Sequence, residues 1–239
     1  MMRTKHSPKE AHKTDTGTNL RNVILGGQDG LVNVLGVILA VAAATHDSRI
    51  VLIAGLAATF AESISMAAVG YTSSKAARQF YESELVREKR EMKEIPQVER
   101  NEVREIYAAK GFTGRTLNTI VKHITSNRDL WLKTMMEEEL RLRQDGWENP
   151  TRDALIIGVA AVVGSLVPLV PFLFLPVAQA TVAALAFSAV VLFVSGFVKA
   201  RITIGNPINS GVEMMLIGML AALAGYAIGA VLGVALYVS

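Results

Sequence analysis

The chain has 239 residues, 51% of them hydrophobic, with 24 Lys and Arg against 21 Asp and Glu and no cysteine. A mean hydropathy of +0.36, gathered into long apolar runs, belongs to a membrane protein and not to a soluble domain. Without cysteine there are no disulfides, thiolate zinc sites or iron–sulfur clusters. The net charge of +3 is topological, so no nucleic-acid partner is expected.

Residues 1–21 read as a polar cytosolic tail with no apolar core followed by a small-residue cleavage site, hence not a cleavable signal peptide. His6 and His12 in this tail, and His46 in a loop, are expected to be solvated. A bilayer core needs about 20 apolar residues in a helix. Five segments qualify: Val23–Ala44, Ile50–Tyr71, Ala154–Leu175, Val177–Lys199 and Gly211–Val238. The loop HDSR joins the first two, and Phe174–Pro176 is a tight re-entry between the third and fourth, with Pro168, Pro171 and Pro176 in or near it. Two thirds of the Lys and Arg lie in Lys75–Arg152, and the rest concentrate in the N-terminal tail and around Lys199 and Arg201. With five spans these all fall on one side, so the positive-inside rule puts the N-terminus and the large polar block in the cytosol. Small residues recur through the spans, and Gly225, Gly229 and Gly233 repeat every four residues. Such faces let helices approach closely, and packing within the chain is favoured over a dimer seam.

The predicted architecture is all-α: a tail (1–21), spans one and two (22–71), a cytosolic helical metal-binding domain (72–152) and spans three to five (153–239). Within the block, Lys75–Lys93 continues the second span until Pro96 breaks the helix. Val98–Lys110 is a second helix ended by Gly111. A third over Gly114–Ile124 has the stripe Leu117, Ile120, Val121 and Ile124. Asp129 opens a fourth, running to about Arg143 before Gly146 and Pro150.

Residues three or four apart share a helix face. Glu88 and Glu91 do, as do Glu99 and Glu102, and Glu139 follows Met135 and Met136 by four and three residues. Carboxylates with a softer sulfur suit Fe2+, Mn2+ or Co2+, and Zn2+ less specifically. The bland alternative is a solvated acidic surface paired with Lys89, Arg90, Lys93, Arg100 and Arg104. No His follows a Glu by three residues, which disfavours a ferritin-like di-iron oxidase. An enzyme is therefore not expected.

Charges inside spans are costly and usually functional. Asp29 lies roughly 10 Å into the first span at 1.5 Å per residue. Met66, on the returning second span, falls at a similar depth, with Glu62 one turn deeper on the same face. Gly26, Gly27 and Gly30 allow close approach or a bend beside Asp29. The alternative for Asp29 is a pair with Arg21. Asp153, at a helix N-terminus, reads as structural, and Glu213 is expected to pair with Lys199 or Arg201.

The first-span motif GGQDGLVNVLGVILAVAAA, the second-span ESISMAAVGYTSSKA and the later WLKTMMEEEL closely resemble the vacuolar iron transporter family. The resemblance runs over nearly the whole chain. It implies a homodimer with its pore between the subunits, exchanging Fe2+, and often Mn2+ or similar ions, for protons and moving metal out of the cytosol. It implies metal-binding roles for Glu88, Glu91, Glu99, Glu102, Met135, Met136 and Glu139, and pore roles for Asp29 and Met66. The chain departs from the family pattern at Val69-Gly70-Tyr71, where many members carry an acid, and at Ala58, where some place the second-span acid; Glu62 is the candidate to substitute.

The expected function is proton-coupled export of Fe2+, with Mn2+, Co2+ or Zn2+ as further cargo. The setting is the vacuolar membrane in a eukaryote or the plasma membrane in a prokaryote. The competing expectation is a membrane-anchored metal-sequestering protein that translocates nothing.

Overall fold

The computed structural model describes residues 14–142 and 149–237. The first thirteen residues with His6 and His12, and Gly146, lie outside them, as does the side-chain environment of Gly233. The described residues form helices and no strand: α1 (Thr14–Thr45), α2 (Ser48–Glu94), α3 (Pro96–Ala109), α4 (Gly114–Ser126), α5 (Arg128–Thr134), a π-helical turn (Met135–Glu139), α6 (Pro150–Leu166), a 3-10 helix (Val167–Leu173), α7 (Val177–Ile202) and α8 (Pro207–Tyr237). Five stretches are long and apolar enough to cross a membrane: Gly17–Thr45, Ser48–Glu94, Pro150–Leu173, Val177–Ile202 and Pro207–Val231. Helices suit this role because each satisfies its own backbone polar groups where no water can. The chain divides into two compact units, Met1–Thr72 with Asn149–Ser239, and Ser73–Glu148.

In the first unit α1 is the central helix. Its Val34, Leu35, Ile38 and Leu39 are fully buried, in a core with Val51, Leu169, Phe172, Ala180, Ala184 and Ala222. The close crossings are made by glycine. A Cβ on Gly26 or Gly30 would run into the carbonyl oxygen of Ile157 or Ala161, and one on Gly164 would lie 2.1 Å from that of Gly27. On the other side Gly225 and Gly229 of α8 meet Gly36 and Ala40 of α1. These two glycines of the four-residue repeat thus pack within the chain, where small residues give backbones the contact that hydrophobicity cannot drive in lipid.

The third span begins at Pro150, where the Asn149 side chain accepts from the Thr151 amide at 3.0 Å. It ends as the 3-10 helix, because Pro168 and Pro171 offer no amide to continue the α ladder. The Phe174 and Leu175 amides both turn back onto the Pro171 carbonyl, at 3.2 and 3.0 Å, which closes the hairpin. Between α1 and α2, His46 adopts φ of 52° and Asp47 caps α2 by accepting from the Arg49 amide at 2.7 Å.

In the second unit the distal part of α2 joins α3, α4, α5 and the π turn. Its core is Met92, Val103, Leu117, Val121, Ile124, Trp131 and Met135. Pro96 sits in the first turn of α3, where a missing amide costs nothing. Gly111, at φ of 93°, makes the left-handed turn that follows α3. Asn127 caps α5 by accepting from the amides of Asp129 and Leu130. The fourth helix of the block stops well short of the expected Arg143. At Met135 the ladder widens, with the Leu140 amide bonding the Met135 carbonyl at 3.2 Å, and Arg141 then turns at φ of 55°. Met135 and Met136 are both buried on that turn, at 0% and 2% exposure.

Candidate metal centre and the carboxylate pair of the spans

Glu88 and Glu91 come from α2 and Glu99 from α3, each offering a carboxylate oxygen within 4.8 Å of the others. Oxygen ligands at roughly 2.0–2.4 Å from one divalent ion lie no more than about 4.8 Å apart, so the three fit a single ion. Glu88 and Glu99 are each only 2% exposed, and one oxygen of each has no hydrogen-bond partner. Burying charged oxygens without partners is costly unless a cation or proton arrives.

The electrostatics extend the group to five. Burial, then the neighbouring charges of Glu102, Glu88, Glu139 and Glu91, push the Glu99 carboxyl up to about 8. Glu139, although exposed as a whole residue, is raised to about 7 by partial burial of its carboxyl and then by Glu102 and Glu88. Glu88 and Glu102 are raised for the same reasons, burial first and Glu91 next. Met135 packs in the core of this unit, and Met136 is buried on the same turn that carries Glu139.

None of the five bases named as alternative partners forms an ion pair with these acids among the described residues. Arg100 stacks over Trp131 at 5.7 Å, and Arg104 donates to Asn118 at 2.7 Å. Arg87 is the base at the cluster. Its Nη2 lies 2.8 Å from Glu84 and 3.6 Å from Glu88, and its Nε lies 3.6 Å from Glu91. Sequence reasoning passed over Arg87, although its spacing of three after Glu84 and four before Glu91 put it within reach of both.

In the first unit, α1 and α2 bring Asp29 and Glu62 together within side-chain hydrogen-bonding reach, with Asn33 as a second neighbour of Glu62. Two carboxylates this close repel unless a proton or a cation lies between them. Asn33 was also passed over; it follows Asp29 by one helical turn, and that spacing was its signal. Met66 is half-buried, one turn after Glu62. Arg21 is exposed and forms no ion pair with Asp29 among the described residues. Asp153 is buried at the start of α6 and accepts from Asn22 at 2.9 Å, tying α6 to α1. Glu213 is exposed and pairs with neither Lys199 nor Arg201 among the described residues; Arg201 lies instead over the Phe197 ring at 5.5 Å.

A family model described as the VIT family matches residues 20–230. The chain is similar to vacuolar iron transporter 1 of Tulipa gesneriana, 37% identical over 220 residues, covering 92% of this chain and 89% of that protein. It is 33% identical to vacuolar iron transporter 1 of Arabidopsis thaliana, over 93% and 89% of the two chains. It is 29% identical to the vacuolar iron transporter of Plasmodium falciparum, over 93% and 85%. Because these matches run from the first span to the last and take in both the Glu/Met cluster and the Asp29–Glu62 pair, the chain belongs to the VIT family.

Proposed function

We propose that this protein carries Fe2+ out of the cytosol across its membrane in exchange for protons, with Mn2+, Co2+ and Zn2+ as further cargo. The observation that carries the reading is the meeting of Asp29 and Glu62 from two spans, since paired acids inside apolar helices need a proton or a cation to persist. The names of the relatives, vacuolar iron transporters, support iron as the cargo.

In this reading Ser73–Glu148 is a cytosolic metal-binding domain. Glu88, Glu91, Glu99, Glu102, Glu139 and the thioethers of Met135 and Met136 collect the ion. Asp29 and Met66 then accept it, and Glu62 takes up and releases the exchanged proton. Lys and Arg distribution supports a cytosolic N-terminus. The vacuolar membrane fits a eukaryotic source and the plasma membrane a prokaryotic one, and the working unit is a homodimer. The test is uptake of Fe2+ and Mn2+, run separately, into proteoliposomes with internal pH followed at the same time. Metal entry with opposite proton flux is expected. Tight metal binding with no flux of either ion would instead establish a membrane-anchored sequestering protein.

A further inference from the structure

We infer that Arg87 is a tethered competitor for the metal: its guanidinium, hydrogen-bonded to Glu84, lies beside Glu88 and Glu91 and lowers their affinity for a divalent cation. The inference rests on reading the Glu/Met cluster as a metal site. Three distances carry it. Arg87 Nη2 is 2.8 Å from Glu84, a full charge-assisted hydrogen bond, whereas Glu88 and Glu91 stand at 3.6 Å, in Coulombic reach but unbonded. The guanidinium therefore already has a home outside the ligand set and spends its remaining charge on two of the three acids that converge for an ion. Glu84 is the one acid in its reach that is not among the crowded carboxylates.

The physical consequence is a limit on affinity. Five carboxylates with nothing to offset them would hold a divalent cation too firmly to hand on, and a site that passes ions must bind weakly enough to release them. A fixed positive charge beside the ligands weakens binding of any cation. One anchored on Glu84 weakens it without entering the ligand set. The same charge offsets part of the repulsion between Glu88 and Glu91.

The test is titration of Mn2+ into the purified full-length protein, with every variant measured at the same pH. Arg87→Gln should bind about tenfold more tightly, the gain shrinking as salt is added, because it is a charge effect. Glu84→Gln removes the anchor, freeing the guanidinium to bond Glu88 and Glu91, and should bind about threefold more weakly. The double variant should lie closer to Arg87→Gln than the sum of the two effects, because most of the effect of Glu84 runs through the arginine. Arg87→Lys, which keeps the charge, should stay near wild type.

Weaker or unchanged binding by Arg87→Gln, or a double variant in which the two effects simply add, would overturn the inference. Glu84→Gln keeps the arginine, so it tests the inference separately should Arg87→Gln fail to fold. Failure of the underlying site reading looks different: the wild type would bind no Mn2+, or Glu99→Gln would bind it as well as wild type.

Discussion

The molecule holds two carboxylate groupings built on opposite terms. In the first unit two acids, Asp29 and Glu62, meet with a neutral amide, Asn33, beside them, and glycine sets the close crossings of α1 with α6 and α8. In the second unit five acids crowd together, two of them buried, and an arginine is held at their edge. Two acids with no ion pair to them among the described residues would suit a brief stop for an ion. Several acids beside an anchored counter-charge would suit capture at low concentration followed by release. The first unit depends on how closely backbones approach, the second on how charge is balanced.

The sharpest way to separate these dependencies is Gly164→Val. A Cβ there would lie 2.1 Å from the Gly27 carbonyl oxygen, so the α1–α6 crossing cannot form. Loss of the folded spans is expected by thermal unfolding in detergent. Asp29→Ala should reduce proteoliposome metal uptake to background while leaving metal titration of the cluster intact. Transport at the wild-type rate would end the role given to Asp29. In the second unit, Glu99→Gln or Glu102→Ala should weaken metal binding at least tenfold without unfolding the spans, by analogy with the cost of disturbing a ligand shell.

A smaller effect is expected with pH. Glu99 moves from 4.5 to about 8 on folding, so between those values the folded chain holds more protons than the unfolded one. Without metal, the stability of this unit should therefore fall as pH rises through that window. Metal binding must displace the same proton, so affinity should rise with pH up to about 8. A flat affinity profile from pH 6 to 8 would contradict the crowding of the five acids. The smallest effect belongs to Lys110→Ala, which breaks the tie to Glu138 on the π turn. Both partners are about two-fifths exposed, and the loss in thermal stability should be about 1 kcal/mol or less.

Most of the architecture was legible because lipid imposes a long apolar run on every span, and because Pro96, Gly111 and Pro176 punctuate the chain where a helix must stop or turn. The acidic residues were legible as pairs on helix faces. Spacing within one helix says nothing about which acids on different helices converge, so the 4.8 Å grouping of Glu88, Glu91 and Glu99 came only with the packing of α2 against α3. The π turn was invisible for a related reason. The run MMEEE carries no Gly or Pro to mark it, and Met135 packs in a core drawn from α2, α3, α4 and α5. The same holds for the arginine. Sequence offered six or more bases near the acids, and the fold sent Arg100 to Trp131 and Arg104 to Asn118, leaving Arg87 at the cluster. Local periodicity and bilayer thickness dictate where helices lie. Which charges then face one another is decided by long-range packing, because electrostatic energy depends on distance in space and not on separation along the chain.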